Sequence, residues 1–247
     1  MAKNYELSTQ VAEVKDNLDN FIDKINCLSD TFVYSEDMLV DQLNRCKKDY
    51  NNFIRPYASV DNDGNQDYNV PTSKLKEYKR LHRKMKRAEM AFKVVPPTYI
   101  VSLVSLFDSF FAGLVRCAYV FKPALLLESN KQFVYREIAQ YESIKEIKSL
   151  IIDTVIDNLL RESHTEQFKW LEKAIGVDSL RKFSDWEDFI ELTERRNLFV
   201  HSDGVISFQY IRECGKSTSC QQGIQLSVDK DYFAKSYKLV YKIIAVR

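Results

Sequence analysis

Apolar residues recur at Leu7, Val11, Val14, Leu18, Phe21, Ile25, Leu28 and Phe32, at alternating steps of four and three. That spacing is a heptad seam, and it predicts a long amphipathic helix over residues 6 to 33 that packs on other helices. A second helix is expected from about 36 to 55, ending at Pro56. The polar stretch PYASVDNDGNQDYNVPT then reads as a loop. Residues 73 to 95 predict a third helix, with Leu75, Tyr78, His82, Met85 and Phe92 along one seam. Pro96 and Pro97 are expected to close it, which places a division of the chain near 96.

Beyond the prolines the pattern changes. The stretch PTYIVSLVSLFDSFFAGLVRCAYVF, 97 to 121, is apolar on nearly all faces and long enough to span a bilayer. Asp108 at its centre and Arg116 further along are costly in lipid, and basic anchors are missing from its flanks. A core helix packed on all sides is the preferred reading, with no membrane partner. Further helices are expected over 143 to 162, and from about 165 to a C-cap at Gly176. Another should run from about 185 to 202, opened by a capping box of Ser184 and Glu187 and closed by Gly204. Ile206, Phe208 and Tyr210, then Ile224, Leu226 and Val228, alternate with polar neighbours and predict a β-hairpin inserted before a last helix at 229 to 246. In that last helix Phe233, Tyr237, Val240 and Ile244 should face inward.

The fold class expected is therefore mainly α: a helical bundle with a long helical N-terminal extension, residues 1 to 95, and a small β-hairpin insert. Composition agrees, since 6 Gly and 5 Pro in 247 residues punctuate long helices rather than many strands. A net charge of +1 names no partner, so a nucleic-acid reading has to rest on local clusters. The 5 cysteines are scattered, odd in number and without a CxxC pair, the usage of a reduced cytoplasmic protein. MAKNYELSTQ lacks the apolar stretch of a signal peptide.

One short set of residues carries chemistry. In ERRNLFVHSDG, Asn197 and His201 are four apart and share a helix face, with Arg196 one position round. Leu198, Phe199 and Val200 are expected to hold the other faces in the core. Histidine transfers protons near neutral pH, and the planar fork of arginine fits a phosphate. Such a pair suits RNA cleavage without a metal: a base takes the ribose 2′-hydroxyl proton, the oxygen attacks the adjacent phosphate, and arginine stabilises the added charge. General acid–base catalysis supplies roughly 10²- to 10⁴-fold, and charge stabilisation a comparable amount. The bland alternative is a histidine that complements the helix dipole and a solvated arginine.

ERRNLFVHSDG resembles the signature of the HEPN superfamily (higher eukaryotes and prokaryotes nucleotide-binding), in which an Arg, usually followed by Asn, Asp or His, precedes a His by four to six residues. Arg196, Asn197 and His201 fit that pattern, with four residues between Arg196 and His201. Arg195 also precedes the histidine but is followed by Arg196 and lacks the polar follower. The resemblance covers about 97 to 247 and leaves residues 1 to 95 outside. It implies an all-α bundle, a homodimer with two motifs facing one cleft, and a metal-independent endoribonuclease that needs no cofactor. Products would carry a 2′,3′-cyclic phosphate and a 5′-hydroxyl. Many such proteins are bacterial toxins or abortive-infection, anti-phage defence effectors, so an antitoxin or defence-system partner is implied. Others are inactive RNA- or protein-binding modules. His201 would be the general acid/base, Arg196 the phosphate-stabilising cation, and Asn197 an orienting residue. Family members often add a polar or acidic residue from an earlier helix. Asp108 fits that place, and a buried pair with an arginine such as Arg116 is the alternative.

The remaining candidates are weaker. KLKEYKRLHRKMKR, with Lys79, Arg80, Arg83, Lys84 and Arg87, is either an RNA track or the solvated face of a long helix. His82 belongs to the seam and is expected to be packed. His164 is read as a local cap or surface residue. DNDGN lacks the acids of a calcium loop, and Gly215-Lys-Ser-Thr follows a tyrosine at 210 where a phosphate loop needs glycine. Cys214 and Cys220 lack the second pair of a zinc site. The acids Asp185, Glu187, Asp188, Glu191 and Glu194 are better explained by the helix dipole than by a metal. A third reading makes the heptad at 7 to 32 the functional element of a structural protein.

Overall fold

The computed structural model describes residues 2–60, 66–128, 134–214 and 221–245, with side chains from residue 11 onward except at 60, 66, 127, 128 and 245. DNDGN, the Gly215-Lys-Ser-Thr stretch, Cys220 and the Leu7 side chain lie outside the described residues. Two helices dominate: α1, Ala2–Ile54, and α2, Leu75–Phe121. They are joined by a short antiparallel hairpin, β1 (Ala58–Val60) on β2 (Gln66–Tyr68), with Ser59 opposite Asp67. The protein is mainly helical with one small two-stranded sheet, as expected. That sheet lies in the loop after α1, however, and no strand forms among the described residues of 205 to 228.

Each long helix replaces two expected ones. The seam of α1 does not stop at Phe32: Ile25, Phe32, Leu39 and Cys46 are all buried, one heptad apart, and Ile54 follows. Its buried part begins at Phe21, while Val11 is 56% exposed. In α2, Pro96 and Pro97 sit mid-helix. Proline costs a helix one bond and a clash with the preceding turn. The Thr98 hydroxyl caps the Val95 carbonyl at 2.6 Å, and Pro96 is itself buried. Packing against α1 overrides the local preference. Residue 96 is thus not a break in the helix. The core is not broken there either, because Phe21, Ile25 and Phe32 belong to the same apolar cluster as Phe107, Phe168 and Phe189.

The basic half of α2 buries Leu81 and Ala88 against α1 and leaves Tyr78, His82, Met85 and Phe92 half-buried beside them. His82 stacks on Tyr78, their ring centroids 5.8 Å apart, and is packed as expected. The apolar half of α2 enters the centre of the molecule, burying Ile100, Leu103, Val104, Phe107, Phe110, Phe111 and Val115. It has the length and mean hydropathy, 1.7, of a membrane span, yet both of its charges are paired within the protein: Arg116 with Asp153 at 2.7 Å, and Asp108 as described below.

The shorter helices are α3 (Tyr135–Ile138), α4 (Ile144–Leu159), α5 (His164–Ile175), α6 (Trp186–His201), α7 (Phe208–Cys214) and α8 (Lys230–Ala245); α4, α5, α6 and α8 pack on α2, and α7 packs on α6. Local chemistry sets most of their ends. The hydroxyls of Ser143 and Ser163 accept the N–H of Glu146 and Glu166 and cap α4 and α5. Gly176 takes the left-handed conformation, φ 77°, at the end of α5. The capping box expected at Ser184 does not form. Its hydroxyl donates to Asp185, and the Asp185 carboxylate is held by Lys242 of α8 at 2.8 Å instead of by the helix N-terminus.

The expected hairpin at 205 to 228 shrinks to a bridge between Val205 and Gln225. Ile206, Tyr210 and Cys214 are spaced by four, the period of a helix face, and they bury together with Leu198 in a small second core. The Ser207 hydroxyl accepts the Tyr210 N–H and starts α7 there. The exposed Phe208, read as part of an alternating strand, is the residue that misled the period. In α8, Phe233 and Val240 are buried, and Phe233 stacks on Phe32 of α1 at 4.0 Å.

Candidate functional site

The site lies where the C-terminal half of α6 meets the middle of α2 and the start of α5. Helix α6 is anchored by Phe189, Leu192 and Leu198, all buried. Of the residues expected to hold the far side, Phe199 is half-buried and Val200 is 49% exposed. The helix ends sharply, because the N–H groups of Ser202 and Gly204 both donate to the Leu198 carbonyl, at 2.8 and 3.0 Å. Gly204 has φ 74°, and a Cβ there would lie 2.9 Å from the Phe199 ring. Only glycine fits this close approach in a left-handed turn.

Arg196, Asn197 and His201 all line one cavity of about 450 Å³. Glu162, Ser163 and His164 at the start of α5 line the opposite wall, and Glu194, Ser207 and Gln209 complete it. Arg196 Nη2 donates to Asp108 Oδ2 at 2.9 Å. The other Asp108 oxygen is 3.0 Å from His164 Nε2. Of the two places open to Asp108, the structure therefore takes the one beside the motif, and Arg116 goes to Asp153. The Arg196 Nε–H is buried and has no hydrogen-bond partner among the described residues. The side chain as a whole lines the polar cavity, and a permanent cation there is an attachment point for an anion.

His164 is the residue that sequence reasoning missed. It is no surface cap: its side chain is 7% exposed, wedged edge-on to Phe189 at 5.5 Å and beside Phe107 at 6.3 Å. The signal available was Ser163, whose capping role makes the next residue the first of a helix. Nothing local says that this first turn points at Asp108, 56 positions away.

Glu194 was likewise read as a dipole charge. It lines the cavity instead. Burial pushes its carboxyl above the usual value of 4.5, and Glu213 adds to this, while a hydrogen bond with Asn197 and the nearby His164 and Arg196 pull back. A folded carboxyl that binds its proton more tightly than the unfolded one favours folding below 4.5, and that contribution is lost as pH rises through the raised value. Glu194→Gln should therefore melt above the wild type near neutral pH, with the gap closing on acidification. Melting curves across this range check it, and equal curves at every pH would sink it.

Two sets of predicted residues are not in the site. Arg195 turns to the other side of α6, where its Nε donates to Glu191 at 2.7 Å and its guanidinium lies 3.8 Å over the Tyr232 ring. The basic residues Lys79, Arg80, Arg83, Lys84 and Arg87 are exposed on α2. Arg87 is 21 positions before Asp108 on the same helix, about 30 Å at 1.5 Å per residue. A second cavity, about 580 Å³, is lined by Phe110, Phe111, Phe168, Leu171 and other apolar side chains and offers almost no polar group for chemistry. Among the described residues no group of three His, Cys, Asp or Glu is placed to hold a metal ion.

No family model, no curated protein and no solved structure matches this chain.

Proposed function

We propose that this protein is a homodimeric endoribonuclease of the HEPN type that cuts RNA by 2′-hydroxyl attack, needs no metal, and serves as a cytoplasmic bacterial toxin or anti-phage defence effector. The observation that carries the reading is the convergence of Arg196, Asn197 and His201 on one polar cavity. Arg196 engages a phosphate oxygen and stabilises the charge that grows in the transition state. His201, exposed at the end of α6, exchanges protons with the substrate. Asn197 orients the ribose or the histidine. Asp108 fixes the guanidinium from behind. The exposed basic stretch of α2 supplies salt-sensitive attraction for RNA beyond the cleaved bond.

The test is RNA cleavage by the purified protein in EDTA, wild type beside His201→Ala. Products ending in cyclic phosphate, reduced by about 10²- to 10⁴-fold in the variant, support the reading. Cleavage that survives in His201→Ala removes it. One observation favours a second reading, a silent RNA- or protein-binding module: Asp108 already neutralises Arg196 at 2.9 Å. In that case neither protein cleaves, while both bind the partner equally.

A further inference from the structure

The cavity holds two histidines, not one, and they come from different elements. His201 stands at the end of α6 and His164 at the start of α5, and both line the same space with Arg196 between their helices. His164 is the better oriented. An ionised Asp108 accepts its Nε2–H at 3.0 Å, and the rings of Phe107 and Phe189 fix its plane. The ring makes no other hydrogen bond among the described residues. A carboxylate that holds one ring nitrogen sets the tautomer and leaves the other nitrogen, here Nδ1, with its lone pair available. Asp108 serves Arg196 through its second oxygen. One carboxylate thus fixes both a proton acceptor and the cation for the phosphate.

We propose that His164 is the second proton-transfer residue of this site, so that one chain carries a complete acid–base pair. This rests on the endoribonuclease reading and deepens it. His164 Nδ1 takes the proton from the 2′-hydroxyl as the 2′-oxygen bonds to the adjacent phosphorus. The bond from phosphorus to the 5′-oxygen breaks, its electron pair stays on that oxygen, and His201 delivers a proton to it. The product ends are a 2′,3′-cyclic phosphate and a 5′-hydroxyl, and the two imidazoles re-equilibrate through water. Two proton transfers in one step need two groups in opposite protonation states. A pair held on separate helices meets that need without waiting for a partner chain.

The charged and titratable groups that face the pair are Asp108 from α2, Arg161 and Glu162 before α5, and Glu194 and Arg196 from α6. Asp108 and Glu194 both feel His164, so Glu194→Gln is measured beside it: a limb that Glu194→Gln keeps and His164→Asn loses belongs to the histidine. The experiment measures kcat against pH for the full chain, with thermal melting to establish that each variant folds. Wild type should give a bell. His164→Asn should lower kcat by about 10²- to 10⁴-fold and lose the acidic limb, which reports the base. His201→Ala should lose the alkaline limb. If His164→Asn does not fold, Asp108→Asn carries the test, since removing the orienting charge is expected to move the acidic limb.

A folded variant at 164 or 108 that keeps the wild-type profile overturns the proposal while leaving the nuclease reading intact. A wild type without cleavage overturns both. Co-expressing His164→Asn with His201→Ala separates the geometries further: a pair within one chain stays inactive in the mixture, and recovered cleavage would show that the cooperating histidines lie on different chains.

Discussion

Glu191→Ala should lower the stability of the folded chain by about 3–5 kcal/mol, the usual cost of leaving one member of a buried ion pair without the other. Glu191 is 9% exposed in the middle of α6. Its Oε1 accepts from Arg195 Nε at 2.7 Å and from the Tyr210 hydroxyl at 2.6 Å, and its Oε2 accepts from the Tyr232 hydroxyl at 2.8 Å. One carboxylate therefore ties α6 to α7 and α8. Burial, together with Glu191 itself, pushes both phenols far above their ordinary range, so they remain donors at every working pH. Alanine would strand the Arg195 cation and two hydroxyls at once. Against a total stability of about 5–15 kcal/mol for a typical domain, that is enough to unfold much of the protein. Asp188→Ala is the control, since it removes an exposed pair with Lys235 at 3.0 Å and should cost about 1 kcal/mol at most. Urea midpoints compare the two, and a similar small shift in both would show that the Glu191 network does not hold the helices together.

Arg196→Ala should reduce cleavage by about 10²- to 10³-fold, the usual cost of losing one donor that stabilises transition-state charge. Arg196 is 21% exposed, held through Nη2 by Asp108, and lines the cavity. The effect should fall on kcat, because the growing charge on the phosphate is larger than the ground-state charge. Arg196→Lys retains the cation but not the fork, and should recover only part of the loss. Under the binding-module reading, Arg196→Ala changes stability and partner affinity and there is no kcat to lose. Single-turnover kinetics beside a melting curve distinguish the two, and full activity in a folded Arg196→Ala would take this arginine out of the chemistry.

Much of this was legible along the chain because it depends on nearest neighbours. The heptad of α1 and the left-handed Gly176 both follow from a few adjacent residues. So does the common face of Asn197 and His201, four apart on a helix, with Arg196 reaching the same cavity from one position round. Where local rules competed with packing, packing won. Two prolines failed to stop α2 because α1 runs alongside it, and that packing outweighs the backbone bonds the prolines cannot make. The alternating pattern at 206 to 210 gave way to a helix from Phe208 because Tyr210 and Cys214 bury together with Ile206.

The sequence by itself determined the helical class, most helix ends and the motif on α6. Only the tertiary structure decided that Asp108 faces Arg196 and leaves Arg116 to Asp153, that Arg195 turns to Glu191, and that His164 closes the far wall of the cavity. The physical reason is one of range. Caps and helix faces are fixed by bonds within a turn or two, whereas the partner of a buried charge is whatever group the folded chain brings within about 3 Å. A partly buried carboxylate needs such partners to offset its desolvation, and Asp108 finds them 56 and 88 positions away.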